Sequence, residues 1–224
     1  MPCETSVVSP DSPDPPDSDD ALVLAPDCRR CPALVDARDR IAWGNGPRDA
    51  AVLVVGEAPA TGDPDAVDWP GGNRSGLAYT SLHSGRRIRS LLAAVGLDGD
   101  AFYTNAVKCH PADGDGSNRE PTDAERSNCR THLRTEVETI DPTVVLATGK
   151  HATTTLRAVE NRTLDGFIDH VLSPVDCPTM GTTLVPLLHP SYADVWRSRL
   201  GHDRASYREA LAATLRECGV ALDD

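Results

Sequence analysis

Lysine is almost missing from this chain: Lys108 and Lys150 are the only two in 224 residues, so arginine carries nearly all the positive charge. Against 22 basic residues stand 34 acidic ones, for a net charge of −12. A broad basic face for nucleic acid or a membrane surface is therefore not expected. Low lysine with abundant carboxylate is the balance expected of a protein that works in very high salt, where screening over about 3 Å at molar ionic strength makes self-repulsion cheap. The alternative reading of that charge is an acidic protein with no nucleic-acid partner. Net charge reports on solubility better than on a local groove, so it settles neither. No apolar run approaches eighteen residues, which excludes a membrane-spanning helix. The N-terminus has no basic region leading into an apolar stretch, so no secretory leader is expected and the cytoplasm is the expected location. With no leader, an odd count of seven cysteines argues against a disulfide framework and toward metal or cluster ligation.

What is present reads as one domain behind a tail. Residues 1–20, rich in Pro, Ser and Asp, have almost nothing to bury and read as a disordered acidic segment. Residues 21–220 read as one domain of a size to hold a substantial core. Four runs have the continuous apolar, β-branched character of buried parallel strands: 51–55, 101–104, 143–148 and 183–188. Helical patterns separate them at 86–95, 121–140, 151–159 and from about 204 to 218. The second of these opens with a capping box, Thr122 and Glu125. Alternating strands and helices predict an α/β fold, a three-layer α/β/α sandwich around a central, mainly parallel sheet of about four strands.

In such a sheet, ligands bind at the carboxyl ends of the strands. The four runs are followed by Gly56-Glu57, Asn105, Gly149 and, in "PLLHPSY", His189. A surface turn has no need of imidazole, and the proline after His189 fixes the turn that carries it. Taken singly, Glu57, Asn105 and His189 each have an ordinary structural explanation. A carboxylate, a carboxamide and an imidazole at matching strand ends point instead to a site. Among the cysteines, Cys28 and Cys31 form a C-x-x-C turn, Cys109 follows the second strand and Cys129 lies in the capped helix. Four sulfurs suit a [4Fe–4S] cluster or structural zinc, and spacing alone separates the two poorly. Cys3, Cys177 and Cys218 have no evident partners.

Four blocks in order, "CRRCPALVDARDRIAWGNGPRDAAVLVVGEAPA", "FYTNAVKCHP", "REPTDAERSNCRTHL" and "LLHPSY", together resemble the iron–sulfur uracil-DNA glycosylases of families 4 and 5. Glu57 in GEAPA and His189 in HPSY look like family 4, while "GGNRSGLAYTSLHSG" (71–85) resembles the corresponding family 5 stretch. There Tyr79 takes the place of the phenylalanine that stacks on the extruded base. The chain departs from the pattern in two acidic insertions, at 63–68 and 113–117. The second replaces the basic, His-bearing loop of a DNA-crosslinking relative, so that activity is not expected.

The resemblance implies a monofunctional hydrolase of base-excision repair that removes uracil, or other deaminated bases, from DNA and leaves an abasic site. It implies Glu57 and His189 as catalytic residues, with Gly56, Ala58, Tyr79 and Asn105 around the base. It also implies a structural [4Fe–4S] cluster on Cys28, Cys31, Cys109 and Cys129, with zinc the less favoured occupant. DNA contacts fall to Arg86 and Arg87 after the stacking loop, and to Pro190, Ser191 and Arg197 in and beyond the HPSY turn. The competing reading of these arginines is that they pair with the many aspartates. A monomer acting on uracil-containing DNA, away from membranes, is expected, and recruitment by a replication clamp cannot be read from sequence. Two alternatives stay open: a catalytically weak DNA-binding member of the same superfamily, and a zinc-stapled α/β domain with a small-molecule ligand.

Overall fold

The computed structural model describes residues 13–97 and 99–223. Residues 1–12 of the expected tail lie outside the described residues. Residues 18–20 form a 3-10 turn that leads into the first strand. Among the described residues, seven strands form one sheet: β1 (Ala21–Leu22), β2 (Gly44–Asn45), β3 (Val52–Gly56), β4 (Ala101–Asn105), β5 (Val144–Thr148), β6 (Val175–Cys177) and β7 (Thr182–Leu187). The helices are α1 (Pro32–Ala37), α2 (Gly72–Ser75), α3 (Gly85–Ala93), α4 (Asp123–Ile140), α5 (Lys150–Val159), α6 (Ala193–Trp196) and α7 (Arg204–Glu217).

The sheet order is β1-β2-β4-β3-β5-β7-β6, and the inner four strands, β4-β3-β5-β7, run parallel. These are the four apolar runs of the sequence. The sheet also gains β1, β2 and β6, all antiparallel and two or three residues long. Strands that short carry no periodic pattern, so the sheet is wider than its sequence signal.

Strands β3, β4 and β5 are buried along their whole length on both faces, and β7 at every residue but Thr183. Val52 and Val54 of β3 pack in a core with Ile88 and Leu92 of α3 and Leu211 and Leu215 of α7. Leu53 and Val55 pack in a second core with Leu133 and Val137 of α4 and Leu156 of α5. Successive side chains on a strand point to opposite faces, so one continuous apolar run serves two helical layers. Burying each such Leu or Val contributes about 1.5–3 kcal/mol. Helix α4 begins where its capping box places it, with Glu125 N–H donating to Thr122 Oγ1 and Thr122 N–H donating to Glu125 Oε2.

Register sets up the site. Gly56 pairs with Asn105 across β3 and β4, and Thr148 pairs with Leu187 across β5 and β7. All four parallel strands therefore end level. The chain runs from β3 to β4 on one side and returns to β5 on the other, which opens a crevice where the order reverses.

Candidate active site

A cleft of about 1020 Å³ opens at those level strand ends. Gly56, Glu57, Ala58, Tyr79, Asn105 and His189 all line it, although sequence scatters them over more than 130 residues. Gly56 is fixed by close approach: a Cβ there would lie 2.5 Å from Asn105 Oδ1 and 2.7 Å from the Tyr79 hydroxyl. Any side chain would displace both groups.

Asn105 is only 4% exposed, and its carboxamide makes no hydrogen bond to another described residue. A nearly buried amide without a protein partner costs stability unless a ligand completes it. Its backbone carbonyl, by contrast, is held by Lys108 Nζ at 2.5 Å. Lys108 is also paired with Glu136 at 2.5 Å, and both side chains are essentially without solvent exposure.

The imidazole of His189 has a defined tautomer. The Ser191 backbone N–H donates to His189 Nδ1 at 3.2 Å, so Nδ1 is the acceptor and the ring proton sits on Nε2. Burial, followed by the nearby His151, holds the His189 pKa below its ordinary 6.5. The ring is therefore neutral at pH 7 and has one N–H to give. Gly149, at φ +89°, sits so close that a Cβ there would lie 3.1 Å from the Cβ of His189.

Tyr79 lies in the cleft wall at 7% exposure, with its ring edge-on to Tyr103 at 5.9 Å between centroids. Its hydroxyl is hydrogen-bonded to Thr148 Oγ1, so it offers a ligand its ring rather than its O–H. Its φ of +56° places an aromatic residue in the left-handed region, a conformation that costs about 1–3 kcal/mol and gathers at functional sites. Gly85 makes room for it, because a Cβ there would meet the Tyr79 carbonyl oxygen at 2.2 Å.

Glu57 Oε1 is buried and has no hydrogen-bond partner among the described residues. Burial raises the Glu57 pKa above 4.5, opposed by His151. His151 Nδ1 lies 3.9 Å from that oxygen, while its Nε2 is 2.9 Å from Glu120 Oε1. His151 and Thr148 are site residues that the sequence reading missed. The available signal was position: Thr148 ends β5, and His151 stands two residues past Gly149.

The chain from residue 43 to residue 216 matches the family described as the uracil DNA glycosylase superfamily. This protein belongs to that superfamily. It is 31% identical over 166 residues to a type-4 uracil-DNA glycosylase of Thermotoga maritima, covering 74% of this chain and 77% of the relative. A type-5 uracil-DNA glycosylase of Pyrobaculum aerophilum is 32% identical over 163 residues, 60% of this chain and 66% of the relative. A type-4 uracil-DNA glycosylase of Archaeoglobus fulgidus is 31% identical over 135 residues, 60% of each chain. Similarity to both types agrees with the mixed character of its motifs.

Two other residue sets of this superfamily member lie beside the cleft. Cys109 and Cys129 share a small buried cluster with Leu34 and Val107, against which Cys31, Ile41 and Ala58 pack. Arg38 ties the segments together, donating to Cys109 Sγ at 3.1 Å and to the Cys28 carbonyl at 2.7 Å. Asn128 Nδ2 donates to Cys31 Sγ at 3.3 Å. Burial pushes the Cys129 thiol up to about 11. Among the described residues no group of three or more His, Cys, Asp or Glu is arranged to hold a single metal ion. Of the expected DNA-contact residues, Ser191 lines the cleft, while Arg86, Arg87, Pro190 and Arg197 line an adjoining groove. Arg197 and Arg87 are paired with Asp194, Arg87 at 4.0 Å, so the pairing with aspartate considered from sequence does occur.

Proposed function

We propose that this protein hydrolyses the N-glycosidic bond of uracil in DNA, releasing the base and leaving an abasic site. The observation that carries this reading is the cleft itself, where a carboxamide and an imidazole Nε2–H, neither with a hydrogen-bond partner among the described residues, meet at level strand ends. Cleavage leaves the base anionic and the sugar oxocarbenium-like, so the site must read the swung-out base and stabilise charge on it. Asn105 would donate from Nδ2 to uracil O4 and accept at Oδ1 from N3–H, a pattern that cytosine cannot satisfy. His189 Nε2–H would donate to O2, where the leaving charge gathers. Tyr79 would stack on the base. Glu57 would hold the attacking water and face the developing cation, with His151, steadied by Glu120, as the nearest titratable partner of its buried oxygen.

The four cysteines fit a [4Fe–4S] cluster: the donor set is all thiol, and three of the four share one apolar pocket with Ala58, the neighbour of Glu57. Bound there, the cluster would pin the Glu57 loop and the segment after Asn105 and take no part in the chemistry. Iron, sulfide and zinc analysis of the purified protein decides the occupant. A cytoplasmic monomer fits this reading. No helix of the described residues is long and apolar enough to cross a membrane. Base range is read by assaying uracil, hypoxanthine and thymine mismatches side by side, with strand scission by hot alkali. Scission at uracil is expected, and none at thymine.

Glu57 gives a pH-dependent outcome. Its folded-state pKa is raised, so the native state takes up a proton more readily than the unfolded chain, and ionising Glu57 costs stability at neutral pH. Glu57→Gln should therefore raise the thermal midpoint at pH 7 and lose that advantage toward pH 4. In the wild type, activity should fall as pH drops through a value above 4.5, and Glu57→Gln should lose that limb. A wild-type acid limb that persists in the variant would assign it to another group.

The acidic balance fits a protein adapted to high salt. Lys108 is buried, which leaves Lys150 as the one exposed lysine. The thermal midpoint should rise between about 0.1 and 1 M KCl, as the screening length shrinks from about 10 to 3 Å. A flat or falling midpoint contradicts this.

A further inference from the structure

We infer that the groove of about 550 Å³ beside the cleft carries the DNA strand away from the extruded nucleotide, and that Arg204 and Arg208 of α7 bind its phosphates. The inference deepens the glycosylase reading by giving the path of its substrate. Among the described residues, five arginines line the groove, Arg86, Arg87, Arg197, Arg204 and Arg208, and one carboxylate, Asp194. In a chain of net charge −12 such a concentration is local and continuous with the cleft, since Leu82, His83 and Leu188 line both.

The fold explains the convergence. Tyr207 anchors α7 under the end of β7, its hydroxyl accepting from Leu188 N–H at 3.2 Å. Arg204 and Arg208, four residues apart, then share one face of that helix. Arginine at the start of a helix is opposed by the helix dipole, so Arg204 is not there for the helix's own stability. Arg208 Nε has no hydrogen-bond partner among the described residues.

Asp194 is the internal counter-ion of this groove. It pairs with Arg197, with Arg204 at 3.4 Å and with Arg87 at 4.0 Å. Its carboxylate occupies the place where a phosphodiester would draw the same three guanidinium groups. Phosphate and Asp194 therefore compete, and removing the carboxylate strengthens DNA binding.

The test is equilibrium binding of a uracil-free DNA duplex across a salt series, read by fluorescence anisotropy. Arg204→Ala/Arg208→Ala should raise Kd about tenfold and reduce the slope of log Kobs against log salt by about 2. Asp194→Asn should lower Kd several-fold. Asp49→Asn, an exposed aspartate before β3 and so at the opposite end of the sheet, should change Kd by less than about twofold. Thermal midpoints check folding, and the single-charge Asp194 variant keeps the test open should the double variant unfold. An unchanged Kd and slope in a folded double variant would overturn the inference, as would equal effects of Asp194→Asn and Asp49→Asn. Displacement of DNA by inorganic phosphate far better than by chloride at equal ionic strength would mark a small-anion site and overturn it too. Protein that binds DNA in this way yet releases no uracil would leave the groove standing and remove the glycosylase reading.

Discussion

Replacing Asn105 with alanine is expected to lower kcat/KM for uracil release from DNA by about 10⁴-fold, because the enclosed base loses both of its edge partners at once. The thermal midpoint should hardly move. An amide that supported the fold would have protein partners, and truncating it would cost about 1–3 kcal/mol in groups left unpaired. This one makes no hydrogen bond to another described residue. Activity lost without stability separates a base-reading amide from a structural one. A variant that is both active and stable would refute the role. One that is inactive because it unfolds would assign Asn105 to the fold.

Lys108→Met is expected to destabilise the protein by about 3–5 kcal/mol, the cost of leaving a buried charge without its partner. For a chain of this size that is roughly 10 °C in thermal midpoint. Lys108 Nζ donates to Glu136 Oε2 at 2.5 Å, to Thr104 Oγ1 at 2.7 Å and to the Asn105 carbonyl at 2.5 Å. Without it, Glu136 keeps only the Thr104 hydroxyl, at 2.8 Å, and its Oε1 already lacks a partner among the described residues. Lys108→Met/Glu136→Leu should recover most of the loss, since apolar residues of similar volume can replace a buried pair at little cost. Because Lys108 also holds the carbonyl of Asn105, the stable double variant should still be impaired in uracil release. A single variant within about 2 °C of wild type would mean that the pair contributes little.

How far the fold could be read from sequence follows from strand length. The runs at 51–55, 101–104, 143–148 and 183–188 announce β3, β4, β5 and β7 because burial on both faces leaves no polar interruption. Ala21–Leu22 and Gly44–Asn45 are too short for any period to show, and exist as strands only because β4 offers an edge to Gly44–Asn45, which in turn offers one to Ala21–Leu22. In the site, Glu57, Asn105 and His189 were legible because each directly follows or ends such a run. Thr148 was not, because a threonine at a strand end looks like the strand itself. His151 was not, because it falls in the first turn of a helix whose apolar pattern hides it. The groove was half legible: GRRIR announces Arg86 and Arg87. Arg204 and Arg208 reach it only through the packing of α7 below His189, which no local pattern encodes.

The central claim is that the imidazole at the end of β7 stabilises a departing pyrimidine anion, and single-turnover release of free uracil from DNA tests it most directly. With protein in excess, wild type should release uracil, and His189→Ala should do so about 10²–10³-fold more slowly, with unchanged affinity for uracil-free DNA. Equal rates in the two proteins, or no release by the wild type in either low or molar salt, would contradict it.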